Sequence, residues 1–325
     1  MKHAEALSLA GGGLDRQTLK RKDAATLMAT GKAKALPLWR GRPLVTGAAG
    51  DAPRLAFLAP DHPFLSEHAG QAVFLGTAPG EGPLFAVDAS AWHPASAAVL
   101  DVGPGLAAPD QPLTGYASVP AEARFADFRA LFPDLSPLEA EIVATAKGVL
   151  GWHRSHPFCA ACGTRSEARD GGWLRHCPAC GARHFPRTDP VVIMLVTRGN
   201  DLLIGRSPGW PEGFYSLLAG FLEPGETVAQ AVRREVAEET GVTVGAVRLL
   251  SSQPWPFPAS LMIGCIAEAE TAAIRLDPAE LDEAFWISRE DLLAVFAGTH
   301  AKIRTPRRGA IAHFLLKMWL ADRLD

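Results

Sequence analysis

Three glutamates crowd one end of a short amphipathic stretch. In residues 220–242, GFLEPGETVAQAVRREVAEETGV, Glu235 and Glu239 stand four apart and share a helical face, with Glu238 on the adjacent stripe. Like charges at that spacing repel, so the cluster opposes helix formation unless a cation neutralises it. Hard divalent cations such as Mg²⁺ take carboxylate oxygens and commonly bring phosphate oxygens with them. A solvated acidic face is the plainer reading of such a run. Glycines and Arg234 at fixed offsets weigh toward the metal.

Four cysteines make a second signal. Cys159-x2-Cys162 and Cys177-x2-Cys180 are two pairs with fourteen residues between them. In a cytoplasmic protein this spacing reads as metal and not as disulfide. Gly163 and Gly181 follow the second cysteine of each pair and suit tight knuckles. Two knuckles give tetrahedral Zn²⁺ with four thiolates and no open position, which is a structural site. A redox pair, or a site that has lost its metal, are the alternatives. Cys265 lies in an apolar run and reads as a buried small residue.

A third stretch runs Ser252-Gln253-Pro254-Trp255-Pro256-Phe257-Pro258-Ala259-Ser260. Prolines at every second position predict a stiff, extended segment that presents Gln253, Trp255, Phe257 and Ser260 at set positions. Aromatic faces stack on bases, and an amide reads a base edge. A rigid connector packed for structure is the other reading.

The elements that position these groups can be read in outline. A chain of 325 residues, 48% apolar, holds two or three domains with large cores. A formal charge of −3 argues against broad nucleic-acid contact, though not against a local basic patch. Glu5 and the glycines interrupt any signal-peptide core, and the run Val191 to Val196 is too short for a bilayer, so a soluble cytoplasmic protein is expected. Residues 1–154 predict an N-terminal mixed α+β domain, with 1–35 partly disordered or loosely helical. LAFLAP, AVFLGTA and LFAVDAS read there as strands. Ser136 reads as an N-cap with Pro137 at the first helical position, followed by a stripe of Leu138, Ile142, Ala146, Val149 and Leu150. Residues 155–188 form the zinc module and 189–325 the catalytic domain. In the latter, PVVIMLV reads as a buried central strand and DLLIGRS as its hairpin partner. GAVRLLSSQ, SLMIGCIAEAE and AFWIS follow as strands, then a closing helix from about Ala310 to Leu324. Strands alternating with helices predict an α/β/α sandwich.

Gly220, Glu226, Arg234, Glu235, Val236, Glu238, Glu239, Gly241 and Val242 fill every defined position of the Nudix box, so the stretch resembles that motif. The resemblance implies a loop–helix–loop that holds Mg²⁺ or Mn²⁺ against a diphosphate, in enzymes that hydrolyse nucleoside diphosphates linked to another group. It implies Glu235 and Glu239 as the main ligands, Glu238 as a third ligand or the base, and Arg234 as a structural partner of a box glutamate. Between Glu238 and Glu239, the sequence does not choose the proton acceptor.

SQPWPFPxS behind a Nudix box and a four-cysteine module resembles the bacterial NADH pyrophosphatase subfamily, which also acts on NAD-capped RNA ends. The resemblance implies that Ala219 gives a backbone carbonyl to the metal and Glu280 a further carboxylate. Sequence alone reads Glu280 equally as a helix-start acid. It implies that Gln253, Pro254, Trp255, Pro256, Phe257, Pro258, Ala259 and Ser260 line the dinucleotide site. Phe185 stands where the family carries an aromatic, often tyrosine; stacking survives without the hydroxyl. Phe221 stacks on a base or belongs to the core. The resemblance also implies that Ala312 contacts the ligand by backbone proximity and that Arg129, in DFRAL, matches an arginine of the family's N-terminal half.

The expected reaction is attack of water on the NAD(H) diphosphate, giving NMN(H) and AMP. On RNA the same cut removes the NAD cap and leaves a 5′-monophosphate. A homodimer, with the site built partly from both chains, is implied as well. Lys302, Arg304, Arg307 and Arg308 read as a solvated loop or as a patch that steers RNA. A Nudix hydrolase of ADP-ribose or diadenosine polyphosphates, and a non-catalytic NAD sensor, are the rival functions.

Overall fold

The computed structural model describes residues 7–47, 51–94 and 109–324. The N-terminal sheet contains β1 (Lys34–Trp39), β2 (Arg42–Thr46), β3 (Arg54–Leu55), β4 (Ala72–Thr77), β5 (Pro83–Asp88), β6 (Gln111–Pro112) and β7 (Arg124–Phe125). Its order is β4-β5-β1-β2-β7-β6, with β3 also on β2, and only β1 and β5 pair in parallel. Helices α1 (Ala24–Met28), α2 (Pro63–His68) and α3 (Phe128–Leu131) are short, and α4 (Pro137–Ser155) closes the unit. The expected cap is present: Ser136 and Glu139 form a capping box. Glu139 Oε1 also accepts from Arg54 Nε and Leu55 N, both at 3.0 Å, which ties β3 to α4. Ile142, Ala146, Val149 and Leu150 are buried as the periodicity predicts.

Within the first 35 residues, Thr18–Asp23 and α1 form a short helical stretch that buries no residue, which is the loose helix expected. Residues 1–6 lie outside the described residues. Residues 7–14, by contrast, are packed: Leu7 joins the catalytic core, and Leu9 and Leu14 join the N-terminal one. Gly12 N and Leu14 N donate to Glu141 Oε2 on α4 at 2.7 and 3.2 Å. Backbone amides do this fastening, so the glycine-rich composition conceals it.

α4 leads into a ribbon of β8 (Glu167–Arg169), β9 (Leu174–His176) and β10 (Arg183–His184), in the order β10-β9-β8. His153 joins the two units. Its Nε2 lies 2.8 Å from Gly172 O, and its Nδ1 lies 2.9 Å from the donating Arg175 Nη1. Burial first, then the Arg175 charge, push its pKa down to about 4 against the Gly172 hydrogen bond.

The catalytic sheet contains β11 (Asp189–Arg198), β12 (Asp201–Arg206), β13 (Leu218–Phe221), β14 (Val244–Trp255), β15 (Ser260–Ala269) and β16 (Glu283–Ser288). Its order is β14-β15-β11-β12-β16, with β13 also on β11, and β11 and β15 run parallel. Helices α5 (Val228–Thr240), α6 (Arg289–Phe296) and α7 (Ile311–Leu320) cover it. Alternate residues of β11 serve opposite cores. Val192, Met194 and Val196 pack with Val232 and Val236 of α5. Ile193 and Leu195 pack with Leu292 of α6 and Leu315 of α7. This is the sandwich expected, and it accounts for an apolar run without alternation.

The proline run is not extended throughout. β14 carries the chain to Trp255, and residues 256–259 then turn into β15. Pro254 is tolerated in β14 because that strand is an edge. Among the described residues, no helix is long and apolar enough to cross a membrane.

Candidate metal centre and substrate cavity

A capping box of Thr227 and Gln230 starts α5, and Gly241, at φ 68°, ends it. Ala231, Glu235 and Glu239 lie on one line of the helix, next to Val232 and Val236. Burying the valines therefore draws the two glutamates under β13. Glu235 is 8% and Glu239 6% exposed. A Cβ on Gly220 would lie 1.9 Å from Glu235 Cδ, so only glycine leaves room for that carboxylate. Arg275 N donates to Thr240 O at 2.8 Å and Asp277 N to Glu239 O at 3.1 Å, which pins the next loop to the end of α5. That loop delivers Glu280 from a turn, not from a helix start. One carboxylate oxygen each from Glu235, Glu239 and Glu280 lies within 4.8 Å of the others.

Glu239 Oε2 is buried and, among the described residues, has no hydrogen-bond partner. Burial first, then the charges of Glu235, Glu280 and Glu238, push the Glu239 pKa up to about 8. Burial also raises that of Glu235, against the Arg234 hydrogen bond. An orphaned carboxylate oxygen beside two further carboxylates fits a hard divalent cation, which supplies the missing partner and relieves the repulsion.

Glu238 stands apart from this set. Its side chain is 57% exposed and accepts from Arg234 Nη1 at 3.0 Å. Arg234 forks onto Glu226 at 2.8 and 2.9 Å, reaches Glu235 Oε1 at 2.8 Å and caps Phe221 O at 2.9 Å. The fork raises the Arg234 pKa and lowers that of Glu226. Arg234 thus fixes the cluster's geometry.

Glu239 and Ala219 open onto a cavity of 440 Å³. Trp255, Arg129 and Ala312 line the same space, so residues from both large units meet there. Trp210, Phe214 and Tyr215 form another part of its wall. The sequence reading misses these three. Their signal is GWPEGFY, a second aromatic stretch bracketed by glycine and proline. Trp210 and Phe214 pack edge to face at 5.0 Å, and Tyr215 donates to Glu283 at 2.6 Å.

In the ribbon, Gly163 N donates to Cys159 O at 2.9 Å and Gly181 N to Cys177 O at 3.0 Å, closing the two knuckles. Cys159 Sγ lies 3.6 Å from Cys180 Sγ, and Cys162 Sγ 3.5 Å from Cys177 Sγ. These separations are far too long for disulfides, at ~2.05 Å, and close to the ~3.8 Å edge of a tetrahedron with Zn–S bonds of ~2.3 Å. His184 Nε2, 3.2 Å from Cys159 Sγ, supplies an outer partner for one thiolate.

Three family models match the chain in order. Residues 32–152 match the NADH pyrophosphatase-like rudimentary NUDIX domain, 154–185 the NADH pyrophosphatase zinc ribbon domain, and 187–309 the NUDIX domain. The NAD-capped RNA hydrolase NudC of Stutzerimonas stutzeri is 41% identical over 209 residues, covering 63% of this chain and 72% of that one. The chain belongs to the Nudix hydrolases, in the NADH pyrophosphatase branch.

The NAD-capped RNA hydrolase NudC of Mycobacterium bovis is 36% identical to this Nudix hydrolase over 259 residues, covering 77% of this chain and 76% of its own. Human NAD-capped RNA hydrolase NUDT12 is 45% identical over 197 residues, and the match spans 57% of this chain but 43% of that protein.

The recognition residues of this Nudix hydrolase divide into several groups. The Gln253 amide is satisfied within the fold. It is fully buried; its Nε2 donates to Ser8 O at 2.6 Å and Gly309 O at 2.8 Å, and its Oε1 accepts from Ile311 N at 2.8 Å. The amide expected to read a base instead knots the N-terminal segment, the closing loop and the start of α7 to β14. Phe257 is likewise an anchor, stacked on Phe128 at 5.8 Å with the Arg129 guanidinium 4.6 Å from its ring centre. Trp255 alone of the loop reaches the cavity beside Glu239. Pro254, Pro256, Ala259 and Ser260 line a separate cavity, and Pro258 is exposed. Phe185 and Phe221 are 64% and 58% exposed, which rules out a core role for Phe221. Of the basic cluster, Arg307 donates to Arg129 O at 3.2 Å and Arg308 pairs with Asp134, so both fasten the closing loop to the N-terminal unit.

Proposed function

We propose that this Nudix hydrolase cleaves the diphosphate of NAD(H), releasing NMN(H) and AMP, and removes the NAD cap from RNA 5′ ends. The observation that carries the reading is the orphaned Glu239 oxygen in a three-carboxylate cluster that opens onto a cavity lined by Trp255 and Arg129. Relatives named NAD-capped RNA hydrolases support the substrate class.

A divalent cation, Mg²⁺ or Mn²⁺, would supply Lewis-acid chemistry at the diphosphate here and make a water more acidic. Glu235, Glu239 and Glu280, with the Ala219 carbonyl, would hold it. In the reaction, a water oxygen bonds to one phosphorus as the bridging P–O bond breaks. Glu238, outside the ligand set and open to solvent, takes the proton from the water. Arg234 keeps Glu235 and Glu238 in register with Glu226. Arg129 offsets diphosphate charge, and the Trp255 ring offers a face to a base. Zn²⁺ on the four cysteines holds the ribbon that joins the two large units.

We divide the chain at 1–154, 155–188 and 189–325. Exposed Phe185 and Phe221 support a homodimer in which a second chain covers them and completes the site. A cytoplasmic setting suits a four-cysteine metal site. Rates on NADH, ADP-ribose and diadenosine polyphosphates, measured side by side, test the substrate assignment. NADH is expected to be preferred; a clear preference for ADP-ribose refutes it.

A further inference from the structure

Glu280 is the least secured member of the carboxylate set. Glu235 and Glu239 are buried on α5, whereas Glu280 is exposed on a turn. A metal ligand is aimed by the groups that hold it from behind, and on a turn those groups must fasten both ends. One end is tied to α5 by the bond from Asp277 N to Glu239 O. Asp277 also closes the turn, because its carbonyl accepts from Glu280 N at 3.1 Å and Leu281 N at 3.0 Å.

The other end is tied to the last two residues of β12. Leu281 is buried against Gly205, where a Cβ would lie 3.3 Å from both Leu281 methyls. Arg206 O accepts from Asp282 N at 2.9 Å. The Arg206 side chain is 23% exposed, and its guanidinium lies 3.2 Å from Asp282 and 4.0 Å from Glu283. These acids stand two and three residues past Glu280. Glu283 also accepts from the Tyr215 hydroxyl at 2.6 Å. Gly205 and Ser216 exchange two backbone bonds, at 2.9 and 3.0 Å. Tyr215 and Ser216 line the cavity beside Glu239, so the end of β12 is bonded to the Glu280 turn on one side and to the cavity wall on the other.

We infer that Arg206 is a positioning residue for Glu280, acting through Asp282 and Glu283, and that Tyr215 braces the same pair from the cavity wall. The inference rests on the reading of Glu280 as a metal ligand and adds what holds it in place.

Charge and position predict opposite signs here. Arg206→Ala removes a cation from the neighbourhood of three carboxylates and leaves Asp282 and Glu283 unpaired. By charge alone, a divalent cation would then bind more tightly. Lost positioning loosens it. Mn²⁺ binding to the full chain, read from the electron paramagnetic resonance signal of the free ion, gives the sign without turnover. The Mn²⁺ Kd is expected to rise about tenfold in Arg206→Ala, the loss of an outer partner. The Mg²⁺ concentration for half-maximal NADH hydrolysis is expected to rise alongside it, with KM for NADH within about twofold of wild type. Arg206→Lys keeps a cation between the two acids and is expected to fall between wild type and Arg206→Ala. Tyr215→Phe keeps the ring and loses one hydrogen bond, for a rise of about threefold. An unchanged or lower Kd in Arg206→Ala overturns the inference. A rise that Arg206→Lys does not reduce overturns it too, because the loss is then a general loosening of the fold. Glu280→Gln is the control: if it binds Mn²⁺ as wild type does, the reading of Glu280 fails and the inference with it, a result distinct from both of these.

Discussion

Gly220→Ala separates the metal centre from the fold. The added methyl would sit 1.9 Å from Glu235 Cδ and 2.1 and 2.2 Å from its two oxygens. Ordinary contact begins near 3.4 Å, so the carboxylate must retreat by about 1.5 Å, the difference between 3.4 and 1.9 Å. The crowded atoms end a flexible side chain, so β13 keeps its ladder with β11. Arg234 loses its 2.8 Å bond to Glu235 and keeps the fork onto Glu226. Stability therefore changes little, with Tm expected within about 3 °C of wild type. Metal ligation tolerates about 0.2 Å, so Glu235 leaves the ligand set. A misplacement of about 1 Å already costs about 10²-fold in rate, and we expect kcat to fall by about 10²–10³-fold. The assay is NADH hydrolysis at saturating Mg²⁺, paired with the Mg²⁺-induced rise in Tm. Activity within about threefold of wild type refutes the placement of Glu235 in the centre. Global unfolding refutes the claim that site and fold separate here.

Three further outcomes follow from the same contacts. Burial and the neighbouring carboxylates push the Glu239 pKa up to about 8, so Mg²⁺ binding at neutral pH is expected to release a proton. Calorimetry in buffers of different ionisation enthalpy reads that proton, and Glu239→Gln is expected to abolish it. His153 titrates near 4 in the folded protein against 6.5 when free, so the unfolded chain takes its proton first. Its contribution is full above pH 6.5 and disappears as pH falls through that window, roughly 3 kcal/mol in all. Subtracting the stability–pH curve of His153→Gln from that of wild type measures it, and a flat difference contradicts the assignment. Gln253→Leu strands two carbonyls and one amide, at a cost of about 2–4 kcal/mol seen in denaturant titration. The ratio of NADH to ADP-ribose rates is expected to hold; an altered ratio at unchanged stability makes Gln253 a substrate contact after all.

Local chemistry is what the sequence makes legible. Glu235 and Glu239 share a face because one helix period places them, and each cysteine pair closes its own knuckle. Both patterns can be read without tertiary structure. The alternating service of β11 to two cores is equally visible in PVVIMLV. Gln253 is not legible in this way, because an amide reads the same whether it meets a base or a carbonyl. Its partner Ser8 lies 245 residues away. The clearance over Gly220 likewise exists only once β13 lies across α5. Phe257 looks like a stacking ring until Phe128 and Arg129 occupy it. The N-terminal segment looks loose because its fastening runs through backbone amides onto Glu141.

The central claim is that a carboxylate-held cation drives hydrolysis of the NADH diphosphate. Mass spectrometry of the products formed from NADH in oxygen-labelled water tests it most directly. The account predicts NMNH and AMP, with one labelled oxygen on a single phosphate, formed with Mg²⁺ and not by Glu239→Gln. Products that form equally without a divalent cation, or equally from Glu239→Gln, contradict it.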